Sequence, residues 1–299
     1  MHADRLTVGP ILRTVRWLAL TSVVALALLV ASARVADAQT DYYNTDRGRP
    51  VQVEDAYATE RYAFEFKLAP VRLERARSGA YSWEIEPEIA YGILPRTHVE
   101  VGVPLAYAEA GPERRSGVAG VDLSLLHNLN TETRTLPAFA LRADLRGPVG
   151  NLAPDRTYAS FTAIGTRTFP ALRVHVNAQY SVGPEPSLAA SPSSVGATES
   201  EADANAGELS RWLAGIAVDK TFPLRSFLIT GEAYASQPII SAEDVEYTVG
   251  TGIRYQWSTL LAADVGVGRR LTGESRAWYV TFGTAYVFGM ASLMPGGAR

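Results

Sequence analysis

From about residue 61 onward, apolar and polar side chains alternate strictly over long runs. Tyr62, Phe64, Phe66 and Leu68 alternate with Ala63, Glu65, Lys67 and Ala69. Tyr81, Trp83, Ile85, Pro87, Ile89, Tyr91 and Ile93 alternate with Ser82, Glu84, Glu86, Glu88, Ala90 and Gly92. Val99, Val101, Val103, Leu105 and Tyr107 oppose His98, Glu100, Gly102, Pro104 and Ala106. The pattern returns at Leu172–Ser181, at Val245–Trp257 and at Trp278–Phe288, with weaker runs near 117–129, 136–147, 157–169, 209–221, 226–237 and 259–270. In the run at 157–169 the two faces are not distinguishable. Period two sets one face of a strand apolar and the other polar, because successive side chains point to opposite sides.

These runs predict about 12 strands of about 10–14 residues, well beyond the five or six of an average globular strand. They match the roughly 9–11 residues a tilted strand needs to cross a bilayer. The pattern therefore predicts an all-β fold, an antiparallel transmembrane β-barrel of about 12 strands spanning 61–288. Connections support it. Links at 94–97, 130–135, 169–171, 221–226 and 257–258 are tight, whereas 74–80, 108–116, 147–156, 184–208 and 237–244 are longer. With both termini periplasmic, the short links share one side, as membrane barrels require. Tyr81, Trp83, Tyr107, Tyr158, Tyr180, Trp212, Phe222, Trp257 and Trp278 sit near strand ends, where interfacial aromatics are expected.

The N-terminus predicts a different element. Arg5, Arg13 and Arg16 precede the apolar stretch Trp17–Ala31, and Ala36-Asp37-Ala38 offers small residues for cleavage before Gln39. Residues 1–38 thus read as a signal peptide, too short in its apolar core for a span of roughly 20 residues. Residues 39–60 then form a periplasmic segment or partial plug, and 289–299 a C-terminal tail. Phe288 is the terminal aromatic that the barrel-assembly machinery is expected to read, although Gly289–Arg299 follow it.

Composition changes this picture little. The 299 residues are 47% hydrophobic and 20% charged, without cysteine, which excludes a disulfide scaffold and a thiolate metal module. Removing the signal's four arginines and two aspartates leaves 24 basic against 29 acidic side chains, no field for nucleic acid. Mean hydropathy near zero is what interleaved apolar and polar faces produce.

If the apolar rows face lipid, the polar rows face a lumen. They carry Glu65 and Lys67, then Glu84, Glu86, Glu88, His98, Glu100 and Asp122, then Arg142, Asp144, Arg146, Arg173 and His175. Glu232, Glu246, Arg254 and Asp264 follow on later strands. Two readings stay open: charges that pair and fill a narrow interior, or an acidic wall facing a basic one across a pore. Catalysis has little support. His175 and Ser181 lie six apart on one strand, about 20 Å at strand rise, and no local Ser/His pair offers a proton relay. Glu84, Glu86, His98 and Glu100 have donors that suit a divalent ion, but lumen hydration accounts for the same residues. No cofactor is expected.

Short motifs add a likeness. Asp46-Arg47-Gly48-Arg49-Pro50, Glu54-Asp55-Ala56, Pro87-Glu88, Tyr91-Gly92, Val99-Glu100-Val101-Gly102, Gly120 and Pro148-x-Gly150 resemble outer-membrane proteins named after the meta-pathway of phenol degradation. The resemblance spans about 45–288 and implies a twelve-stranded barrel passing small, often hydrophobic or aromatic compounds, with no residue-level site. The expectation is an outer-membrane channel or uptake protein, with outer-membrane lipid, a small solute and the assembly machinery as partners. A closed barrel with a structural or surface role is the alternative, and a soluble exported β-protein a third.

Overall fold

A computed structural model describes residues 35–36, 44–76, 79–183, 209–239, 244–272, 276–290 and 293. The signal segment (but for two residues), the 184–208 loop and most of the tail lie outside the described residues. The chain divides into two compact units. In the smaller one, Val35 and Ala36 pair antiparallel with Met290 and Gly289. The larger, Asp37–Phe288, holds the barrel.

Twelve antiparallel strands close on themselves. They are β1 (Ala63–Ala76), β2 (Tyr81–Leu94), β3 (Thr97–Gly102 and Leu105–Ala110), β4 (Glu113–Val118 and Val121–Asn130), β5 (Ala138–Gly147) and β6 (Tyr158–Thr168). Then come β7 (Arg173–Val182), β8 (Ser210–Phe222), β9 (Phe227–Pro238), β10 (Glu246–Ser258), β11 (Leu261–Arg270) and β12 (Ala277–Met290). Each strand pairs with its sequence neighbours, and β1 pairs with β12 to close the ring. Closure matters because an open edge in hydrocarbon would leave a row of backbone N–H and C=O groups without partners.

Proline interrupts β3 at Val103-Pro104, since its ring nitrogen has no proton for a ladder. Opposite it, β4 breaks at Ala119-Gly120, where Gly120 has φ 144. Above that break, Glu113–Val118 pairs with Leu105–Ala110. There the loop after β5 approaches, and the Leu152 amide donates to the Val118 carbonyl at 3.0 Å.

The outward rows carry the apolar side chains. Leu125, Leu141, Phe161, Val176, Ile216 and Val265 are all exposed. Aromatic rings gather near both ends, Trp83 stacked on Tyr107 at 5.8 Å at one and Phe227 against Tyr255 at 4.8 Å at the other. At the closing seam Phe64 stacks on Tyr91 and Phe288.

Three expectations change. The link expected over 108–116 shrinks to a turn at Gly111-Pro112, because both strands continue to it and Gly111 adopts φ 61. The link at 74–80 shortens because β1 runs on past a register shift between Leu68 and Val71. Tyr158 is not an interfacial ring: it is fully buried on the inward face, packed with Leu209 and Ile239. The undecided run 157–169 resolves with Ser160, Thr162, Ile164 and Thr166 inward and Phe161 outward.

The outward assignment predicts an energetic asymmetry. Leu141→Arg, at the middle of β5, should destabilise the barrel in vesicles by about 2–4 kcal/mol. Leu224→Arg, in the fully exposed 3-10 turn Pro223–Arg225, should leave it unchanged. Urea titration followed by heat-modifiable migration reads both.

Candidate functional site

The interior is occupied by the chain itself. Residues 44–60 form an irregular loop whose limbs are clasped together: the Thr45 amide donates to Asp55 Oδ2 at 2.9 Å, and the Asp55 amide to the Thr45 carbonyl at 3.2 Å. Thr45, Arg49, Val51, Val53, Glu54, Asp55 and Ala56 are all buried. A segment without helix or sheet has no ladder of its own, so at membrane depth its backbone groups need other partners.

Side chains on the inward rows supply them. Glu232 Oε2 (β9) accepts the Gln52 and Val53 amides at 2.8 and 2.9 Å. Asn177 (β7) behaves like a neighbouring strand, accepting the Glu54 amide at 2.8 Å and donating to the Glu54 carbonyl at 2.9 Å. Thr166 Oγ1 (β6) accepts the Ala56 amide at 3.0 Å, and Asn128 (β4) donates to the Ala56 carbonyl at 2.7 Å. His98 Nδ1 (β3) accepts the Thr59 amide at 2.9 Å. Thr281 (β12) donates to the Pro50 carbonyl at 2.9 Å, and Arg254 (β10) to the Asn44 carbonyl at 2.6 Å. Apolar contact is made by Ala56 with Leu126, Ala138, Ala140 and Ile164, with Tyr57 and Ala58 packed against that cluster.

Glycines shape the seat. A Cβ on Gly252 would lie 2.5 Å from Pro50 Cβ, and one on Gly215 2.8 Å from Val53 Cγ2. On Gly266 it would overlap the Pro50 carbonyl oxygen. All three stand on inward rows, where the loop comes within backbone distance of the wall.

Most of the charges named from the sequence interlock around this loop. Asp46 Oδ1 takes Lys67 (β1) at 3.2 Å, while its Oδ2 takes Arg254 at 3.1 Å and Arg49. Lys67 also pairs with Glu88 at 3.6 Å and with Glu100, and Arg49 with Asp264 at 3.4 Å. Glu65 lies 4.0 Å from both Arg49 and Arg254. Arg142 (β5) bonds Glu54 at 3.1 Å, Glu100 at 3.0 Å and Asp144 at 2.7 Å. Arg146 bonds Asp122 at 2.8 Å. Arg173 holds Asp219 at 2.7 Å.

Two groups stand apart. Nearer the end opposite the termini, Glu74 and Glu246 each meet Arg270 at 3.1 Å, and Arg72 lies 3.9 Å over the Tyr279 ring. Glu84 and Glu86 also face inward on β2, level with Arg72 across the β1–β2 pair. An acidic wall facing a basic one across open space is therefore not what forms around the loop. Acids and bases on adjacent strands neutralise each other, because β4 and β5 set Asp122 opposite Arg146.

Charge on the loop follows from burial and partners. Burial pushes Asp46 up, but Lys67, Arg49 and Arg254 outweigh it and hold its carboxyl well below the ordinary range. Burial pushes Glu54 up to about 7, because Arg142 is shared with other carboxylates. Asp55 is also raised by burial, against the opposing pull of Arg173 and His175.

His175 enters a relay that sequence spacing hid. The Thr166 hydroxyl lies 3.0 Å from His175 Nδ1, and His175 Nε2 lies 2.9 Å from Asp219 Oδ2. This is the order of a nucleophile, base and acid, but Thr166 is fully buried and its oxygen already accepts the Ala56 amide. The chain of bonds fastens the loop. Among the described residues no group of three or more His, Asp or Glu side chains is arranged to hold a metal ion.

A small cleft of about 40 Å3 remains between loop and wall, lined by Asp46, Asp55, Glu65, His98 and Arg254 among others. It has room for about one or two waters.

No protein-family model matches the sequence, and no curated protein does. Solved structures share the architecture. An outer membrane channel from Pseudomonas putida F1 is 12% identical, over 78% of this chain and 98% of its own, with a TM-score of 0.52. A KdgM porin is 12% identical over 75% of this chain and 98% of its own, at 0.48. The first likeness is one of fold.

The seat makes a direct prediction. Gly266→Ala should displace the loop at Pro50, and Glu232→Ala should strand two amides at about 1–3 kcal/mol. Amide hydrogen exchange over residues 51–56 should accelerate in both variants while the strands stay protected. Unchanged exchange would mean the loop is held elsewhere.

Proposed function

We propose that the chain is an outer-membrane channel for passive passage of small solutes, closed in this conformation by residues 44–60 and opened when they withdraw. The observation that carries the reading is how the loop is held. Its bonds to the wall are mostly hydrogen bonds and ion pairs, each replaceable by water. A permanent core filling would bury a continuous apolar surface, whereas here the wall behind the loop is polar and already suited to a wet lumen.

The remaining assignments belong to the same reading. Residues 1–38 direct export, 44–60 plug the mature barrel from its periplasmic side, and the C-terminal tail follows the last strand, which ends at Met290. Phe288 serves recognition by the assembly machinery. The inward residues from Glu65 to Asp264 line the path that the withdrawn loop vacates. Resemblance to the phenol meta-pathway proteins favours hydrophobic or aromatic compounds as solutes.

The second reading, a closed barrel with a structural or surface role, draws on the ion pairs that tie Arg142, Arg49 and Lys67 to both wall and loop. Planar-bilayer recording separates the two. The intact protein should show rare, brief openings, and deletion of residues 44–60 large and lasting current steps. A deletion variant that still migrates as a folded barrel yet carries no current would favour the closed barrel.

A further inference from the structure

Near the junction of the loop with β1, the Thr59 amide donates to His98 Nδ1 at 2.9 Å. A ring nitrogen that accepts carries no proton, so the imidazole is neutral with its hydrogen on Nε2. A second proton would sit on Nδ1 and turn an accepting contact into two N–H groups facing each other.

The other histidine at the loop behaves differently. His175 Nδ1 meets the Thr166 hydroxyl rather than the loop, and Thr166 can rotate its hydrogen away while its oxygen still accepts the Ala56 amide. Its Nε2 lies 2.9 Å from Asp219 Oδ2 on the wall. Among the described histidines, His98 alone bonds the loop backbone directly.

We propose that His98 is a proton-operated catch on the loop, holding Thr59 when neutral and releasing it when protonated. The proposal rests on the loop being the gate. Asp46, Asp55 and Glu60 from the loop, Glu65 from β1 and Arg254 from β10 share a cleft with the ring. Lys67, Glu100 and Arg142 also act on it.

The loop's own carboxyls act with the opposite sign. Docking raises Glu54 to about 7, above its ordinary value, so the docked loop takes up that proton more readily than the released one. Acid therefore favours docking through Glu54, and through Asp55, which is raised too. Only below the ordinary carboxylate range does Asp46, held low when docked, add to release. The net response is a difference, and His98 must be isolated by substitution.

The chain has no cysteine, so Val53→Cys gives a single buried thiol whose maleimide labelling reports release. Dividing its rate by that of Leu224→Cys, on a fully exposed residue, removes the thiol's own pH dependence. The quantity read is the ratio of normalised rates at about pH 5.5 and about pH 7.5, around the ordinary histidine value. Adding His98→Asn, whose Oδ1 still accepts but does not titrate, should lower that ratio about threefold or more. A roughly tenfold difference in proton affinity between docked and released loop changes release by up to about tenfold. His98→Gln should act likewise, and Glu54→Gln should raise the ratio. An unchanged ratio with both His98 variants overturns the catch. If deletion of 44–60 conducts and the ratio ignores His98, the catch alone fails. If the ratio depends on His98 and the deletion carries no current, the channel reading fails and the catch stands.

Discussion

A stretch of irregular backbone held at membrane depth must have its N–H and C=O groups bonded by something other than water. That constraint organises the barrel interior. Residues 44–60 have no ladder, so the wall provides one piecemeal: Glu232 for two consecutive amides, Asn177 for both groups of Glu54, Thr166 and Asn128 for Ala56. The partners stand on different strands, which is why polar rows recur around the circumference rather than on one side. The outward rows answer to lipid alone and can be simple. The inward rows answer to a particular segment.

Electrostatics follows the same logic. Burying a charge is tolerable when it is paired and its remaining valences are bonded. Arg142 illustrates the condition, with its three nitrogens distributed over Asp144, Glu54, Glu100 and Ser124. Lys67 bridges Asp46 of the loop to Glu88 and Glu100 of the wall. Removing the loop from such a cluster leaves carboxylates and cations still facing one another, now in a wider and wetter space. Lys67 and Arg142 keep wall carboxylates as partners when the loop leaves, whereas Asp264 gives up its ion pair with Arg49.

How much of this was legible in the sequence varied with the range of the interaction. Strict alternation from Tyr62 to Phe288 was enough for strand number and direction, because a membrane barrel writes its two solvents into successive residues. The run 157–169 resisted because Tyr158 and Ile164 face inward, Tyr158 against Leu209 and Ile239 and Ile164 against Ala56, which blurs the pattern. The same inward packing misplaced Tyr158 among the interfacial rings. Charged lumen residues could be named one by one, but their pairing could not, since it depends on a loop far away in sequence. The seat left a fainter trace. Asn128, Thr166, Asn177 and Thr281 read as ordinary polar positions, and Gly215, Gly252 and Gly266 as gaps in alternation. Glycines that repeatedly replace a side chain on the inward row of long strands were the one available sign of something pressed against the wall.

The distribution of that seat has a consequence for assembly. Its contacts lie on strands from β1 to β12, so no hairpin or partial sheet presents more than a fragment of it. The docked loop binds the completed ring far better than any open or miscounted arrangement of the same strands. By linkage, whatever binds only the finished state stabilises it. The loop precedes every strand in the chain, so it is already present when the first and last strands meet. It then acts as a gauge of circumference, favouring closure at twelve strands over any ring that would leave it loose.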